Sequence, residues 1–152
     1  MSSDSRTALD LAVRHHVYDE TMRNGLPPTI LETERSLGAQ AGEVCASLQR
    51  LAEAHMLVLQ KDSGEVLMAN PFSAVPTAFL VQVGNRTYFG NCIWDALGIP
   101  AMLKQDAVLR CSCGDCGTAM TLRISQGALE PADGIVHFAL PAARWWDDIV
   151  FN

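Results

Sequence analysis

Two short stretches hold the residues able to do chemistry. In "YFGNCIWDALGIPAML", residues 88–103, Cys92 and Asp95 stand three positions apart in an otherwise apolar run. In "RCSCGDCG", residues 110–117, three of the five cysteines, Cys111, Cys113 and Cys116, fall within six positions. A helix over "NCIWDALG", N-capped by Asn91 and closed by Gly98, sets Cys92 and Asp95 on one face, with Cβ atoms about 5 to 6 Å apart. The first turn of a helix favours a thiolate. The neighbouring carboxylate opposes it, since each anion raises the pKa of the other group. Such a proton-sharing pair suits a thiolate that attacks a soft electrophile while the carboxyl delivers a proton. The bland alternative is a packed cysteine beside a capping aspartate, and spacing alone does not choose. No Cys–His–Asn hydrolase arrangement is expected, because His15, His16 and His55 lie in the other half and His137 in a strand candidate.

Cys113 and Cys116, followed by Gly117, form a CxxCG turn between strand-like segments. Two thiolates in such a knuckle hold one side of a tetrahedral zinc, but a closed structural site needs four ligands. No second knuckle exists in the sequence, which leaves Cys111 or His137 to complete the set. A thioredoxin-like redox pair would open a helix, and this one sits between strands. Three uses stay open: contact with a soft, thiophilic metal ion, a knuckle that holds no metal, and redox exchange.

The elements that must position these residues divide the chain in two. Leu9, Ala12, Val13 and Val17 have helical spacing within residues 7–23, ended by Gly25, Pro27 and Pro28. "TILETERSLG" reads as a short helix, with Thr29 as N-cap, Glu32 completing a capping box and Gly38 as the stop. A third helix over "AGEVCASLQRLAEAHML" presents Val44, Leu48 and Leu51, with Cys45 near that apolar face as a small buried hydrophobe. "HMLVLQKDSGEVLMAN" then reads as two strands turning at Asp62, Ser63 and Gly64. Three helices and a hairpin make a winged-helix-like module over residues 1–70. A linker follows at 71–77, bracketed by Pro71 and Pro76. Residues 78–152 read as a mostly antiparallel sheet with one inserted helix. Its strand candidates are the two segments flanking Gly84–Asn85, then "AVLRCSC", "TAMTLRIS" and "GIVHFALP". The fold class expected is α+β.

Composition narrows the function. The chain has 152 residues, 49% hydrophobic and 18% charged, as an ordinary globular protein does. No apolar run reaches the roughly 18 residues of a membrane span, and no secretory signal opens the sequence, so a cytoplasmic protein without membrane association is expected. Clustered, odd-numbered cysteines in a reducing compartment point to metal or catalysis before disulfides. The net charge is −6. Residues 1–75 hold six Lys or Arg against ten Asp or Glu, and the segment Ala41 to Ala54 holds one Arg and two Glu. This argues against phosphate contact and so against a winged-helix DNA-binding regulator.

Taken together, a winged-helix-like module, "YFGNCIWDALGIPAML" and a cysteine-bearing hairpin resemble the organomercurial lyase (alkylmercury lyase) family. Tyr88, Cys92, Asp95 and Pro100 match its core motif, with one extra residue between Tyr88 and Cys92. Cys113 best matches a further, structural cysteine of the family. The resemblance implies an enzyme that cleaves a carbon–mercury bond. Cys92 would be the attacking thiolate, Asp95 the proton donor to the leaving carbon, and thiols would hold the mercury product. It also implies a small organometal substrate, thiol partners and no organic cofactor. Cys92, Cys113 and Cys116 become the candidate ligands for mercury, or for zinc. The family uses a second catalytic cysteine well after the first, and here none follows Cys116. Either the chain is a shortened form, or Cys113 and Cys116 substitute, or the activity is lost or replaced. The competing reading is a non-catalytic protein that binds or senses mercury, zinc or copper. The tail residues Trp145, Trp146, Asp147 and Asp148 either lie against the site or form a separate aromatic cluster. Oligomeric state is not encoded in any of these patterns.

Overall fold

In a computed structural model the described residues are 3–150; residues 1–2 and 151–152, the outer ends of the two expected segments, lie outside them. The chain is α+β, with helices first and antiparallel sheets after, interrupted by one helix. Helix α1 spans Ser3–Asn24, α2 Ile30–Leu37 and α3 Ala41–Glu53. The capping box at α2 forms as the sequence predicts. Thr29 Oγ1 accepts from the Glu32 N–H at 3.2 Å and the Glu32 carboxylate accepts from the Thr29 N–H at 2.8 Å, satisfying two otherwise orphaned donors. Strands β1 (Val58–Leu59), β2 (Val66–Ala69) and β3 (Phe72–Ser73) form a small antiparallel sheet in that order. Val13, Val17, Val44, Leu48, Leu51, Leu57, Val66 and Ala69 bury together beneath it.

The second sheet has five antiparallel strands. They are β4 (Leu80–Val83), β5 (Arg86–Phe89), β6 (Ala107–Ser112), β7 (Ala119–Ser125) and β8 (Ala128–Leu129), in the order β5-β4-β6-β7-β8. Helix α4, Ile93–Leu103, crosses between β5 and β6 and packs Ala96 and Ile99 onto this sheet. The residues between the two cores are not slack chain. Phe72 and Ser73 pair with β2, Phe72 is 1% exposed within the second core, and it bridges to Gly90. Tyr18 of α1 packs against both cores.

Two expectations are corrected. "GIVHFALP" is not a strand: residues 134–141 carry no regular structure, and the strand that pairs with the outer edge of β7, at Ile124 and Ser125, is β8. Gly98 does not close the helix around Cys92. That helix runs on through Pro100 to Leu103 and ends at Lys104, which adopts the left-handed conformation at φ 52°. Pro100 is buried and removes one helical N–H donor, yet the turn holds because Ile99 and Pro100 are enclosed by the core. Gly98 lies inside the helix facing Pro71, where an added Cβ would make an ordinary contact at 3.5 Å.

Candidate functional site

Cys92 and Asp95 meet at the start of α4, where the chain leaves β5 through a sharp bend. Gly90 makes that bend feasible. A Cβ at this position would lie 2.6 Å from the Ala96 backbone nitrogen, closer than real atoms approach. Tyr88, matched above to the family motif, anchors the strand that leads in. It is buried, its ring lies 5.5 Å from that of Phe72, and its hydroxyl donates to the Met22 carbonyl at 2.7 Å. Its role is therefore architectural, holding β5 to the end of α1.

The N-cap of α4 is Cys92, not Asn91 as the sequence suggested. Cys92 has extended backbone (φ −143°, ψ −178°), and its carbonyl accepts the first helical bond, from the Ala96 N–H at 2.9 Å. Asp95 stands in the first turn above it. Burial pushes the Cys92 thiol up from its ordinary value. The backbone N–H groups of Asp95 and Trp94 favour the thiolate, and the Asp95 charge opposes it. Asp95 is also raised, by burial, with a hydrogen bond from Asn91 pulling the other way. Both groups thus lean toward their protonated forms, mainly through burial, with the Asp95 charge adding to the rise of Cys92.

Asn91, displaced from the cap, acts as a clamp. Its Nδ2 faces three acceptors: Asp95 Oδ2 at 2.9 Å, Asn70 Oδ1 at 3.1 Å and the Phe72 carbonyl at 3.4 Å. Its own Oδ1 is buried with no hydrogen-bond partner. Asn70, in the turn between β2 and β3, also accepts from the Tyr18 hydroxyl at 2.9 Å through its carbonyl. The Tyr18 phenol is pushed up by burial, Arg14 draws it down, and the Asp95 charge pushes it up again. Sequence reasoning missed Tyr18 and Asn70, because no spacing rule links residues of α1 and of a distant turn to a helix so much later in the chain. The tail also reaches this turn of α4. Phe138 lies edge-on to Trp94 at 6.4 Å and against Trp145 at 5.0 Å, while Trp146 stacks on His55 at 4.1 Å.

Cys113 and Cys116 sit in the loop of the β6–β7 hairpin. All five cysteines are free thiols, with Cys116 exposed and Cys45, Cys92, Cys111 and Cys113 half-buried. The loop closes through the Cys113 N–H to the Thr118 carbonyl (2.8 Å) and the Gly117 N–H to the Cys113 carbonyl (2.9 Å), with Gly117 at φ 71°. Hydrogen bonds from Thr118 and from the Cys113 thiol lower the Cys116 pKa to about 7. Among the described residues, no three His, Cys, Asp or Glu side chains converge to hold a metal ion. Cys92 is therefore not gathered with Cys113 and Cys116 into one ligand set. The hairpin pair also lacks the third and fourth donors that a structural zinc requires.

Residues 72–151 match the sequence model of the MerB family, alkylmercury lyase, and the chain belongs to that family. A solved structure described as the mercury-bound form of MerB2 shares the fold, with a TM-score of 0.63 at 22% identity. The match covers 84% of this chain and 65% of that one, so this chain spans less than two thirds of the length of that structure. No curated protein sequence gives a match. Among the described residues, no helix is long and apolar enough to cross a membrane.

Proposed function

We propose that the chain cleaves carbon–mercury bonds of small organomercurials at Cys92 and Asp95. The observation that carries the reading is their juxtaposition on one helical turn, in a member of the alkylmercury lyase family, with burial raising both pKa values. Cys92 gives up its proton as its sulfur bonds to mercury and the substrate's other mercury ligand leaves. The Asp95 carboxyl then delivers a proton to carbon as the carbon–mercury bond breaks. The products are the hydrocarbon, the Asp95 carboxylate and mercury(II) on the Cys92 sulfur, which a second thiol removes. A protonated Asp95 suits this task, because a carbanionic leaving group needs an acid at hand. Asn91 binds Asp95 Oδ2, which leaves the other carboxyl oxygen to carry the proton. No step calls for an organic cofactor.

The N-terminal segment, residues 1–70, is read as a winged-helix-like support, on the grounds of its element order and its own buried core. Its contribution to the site is Tyr18 and Asn70, not a DNA-reading face. The test is hydrocarbon release, methane from methylmercury or benzene from phenylmercury, in the presence of excess thiol. A Cys92→Ser protein with undiminished release would end the proposal.

A further inference from the structure

The Cys113–Cys116 hairpin takes no part in the reaction just described, yet it places two free thiols in one loop, one of them exposed. Cys116 is exposed and its sulfur lies 3.1 Å from Thr118 Oγ1. Cys113 and Cys116 stand three residues apart in the same loop of the β6–β7 hairpin. Two backbone hydrogen bonds and the left-handed Gly117 fix the loop that holds them together. Preorganisation of this kind raises the effective concentration of the second thiol once the first has bound. The donor number is equally informative. Zinc is satisfied by four ligands and here would find two, whereas mercury(II), among the softest of divalent ions, is satisfied by two thiolates in line.

We propose that the Cys113–Cys116 turn is a second, surface metal site that binds one two-coordinate soft ion, mercury(II), separately from Cys92. Binding exchanges two S–H protons for two S–Hg bonds, so no oxidant or reductant is needed. The choice of mercury as the natural ion rests on the proposed carbon–mercury cleavage, which releases it. The site gives that product a chelating acceptor on the same chain. The exposed Cys116 sulfur is the first of the two that an ion arriving from solution meets.

The full chain carrying Cys92→Ser allows the site to be tested whether or not the cleavage reading holds. Mercury(II) chloride is added in the presence of an excess small monothiol. The expected result is one ion per chain by native mass spectrometry, a sulfur-to-mercury charge-transfer band, and protection of both Cys113 and Cys116 from alkylation. Adding Cys113→Ser or Cys116→Ser should weaken retention by about a hundredfold, the loss expected when a chelate becomes a single ligand. Both replaced side chains lie in a solvent-facing loop, so the fold should survive, and circular dichroism checks it. Alkylation of Cys113 and Cys116 that proceeds unhindered at one bound ion would overturn the proposal. So would retention unchanged by either substitution, or zinc(II) displacing the mercury. Separately, Cys116→Ser with Cys92 intact should release hydrocarbon normally in the first turnover and slow only in later ones.

Discussion

Cys92 and Cys116 are the same side chain tuned in opposite directions. At the start of α4 burial raises the thiol, and the adjacent Asp95 charge adds to that. In the hairpin loop the sulfur is in water, and hydrogen bonds from Thr118 and Cys113 lower it to about 7. Burial penalises charge, whereas donors aimed at the sulfur reward it. The difference separates two tasks. A thiol that stays protonated until a soft metal displaces the proton leaves no resident anion beside the carboxyl that must act as the acid. A thiolate already present near neutrality suits capture from solution.

The sharpest way to break this comparison is to remove the buried thiol. Cys92→Ser should lower hydrocarbon release by about a thousandfold or more, as loss of a nucleophile generally does, while Cys113 and Cys116 keep their mercury. Equal loss of both properties would mean that the two thiol sites are not independent. Asp95→Asn comes next. It keeps the thiol but removes the acid, so release should fall by about 100- to 10,000-fold with mercury capture intact, measured by burst and steady-state hydrocarbon assays.

The same variant tests the electrostatics through stability. Asp95 has a raised pKa in the folded state. Its contribution therefore favours the fold below the unfolded carboxyl pKa and is lost as pH rises through the folded value. At neutral pH the buried carboxylate is a cost that asparagine does not carry. The expectation is that Asp95→Asn melts no lower than the parent at pH 7 and loses this advantage near pH 3. A melting temperature that falls at neutral pH would contradict the assigned burial effect.

A smaller difference concerns the rates of the two thiols without any substrate. At pH 7, a pKa of about 7 leaves about half of Cys116 as thiolate, against about 1% for an unperturbed thiol of 9.0. Iodoacetamide should therefore label Cys116 first, by about tenfold or more over Cys92, since lower thiol basicity offsets part of the gain. Peptide mapping after short exposures reads the order. Labelling of Cys92 ahead of Cys116 would reverse the comparison.

Much of this arrangement was legible from residue types. Cys92 and Asp95 stood out because an apolar run has no packing reason to hold two ionisable groups. The Thr29–Glu32 capping box and the helical spacing of Val13, Val17, Val44 and Leu48 gave the first core because they are local patterns. The illegible parts are non-local. Gly98 has the residue type of a stop but lies inside α4, and "GIVHFALP" has the pattern of a strand but carries no regular structure. Residues 134–141 are held instead by Phe138 against Trp94, and Ile135 is 94% exposed. Asn91 was read as a cap because asparagine commonly caps helices. Only the fold reveals that Cys92 takes that position and leaves the Asn91 amide to the carboxyl.

That displacement gives the most delicate prediction. The Asn91 Nδ2 is shared among Asp95, Asn70 and Phe72, and its Oδ1 has no partner. A buried oxygen without a partner typically costs about 1 to 3 kcal/mol. The Asn91 nitrogen, by contrast, bonds the candidate acid directly. It lowers the Asp95 pKa against burial, so its loss lets that pKa rise further. Asn91→Ala should therefore keep Asp95 protonated to higher pH, moving the basic limb of the release profile upward. The turnover number should fall by about tenfold, because one orienting hydrogen bond of roughly 1.4 kcal/mol is gone. Asn91→Asp should lower it further, since a second carboxylate replaces the donor and repels Asp95. A merely structural role would lower melting temperature without moving the pH profile. The profile therefore separates a residue that holds the fold from one that aims the proton.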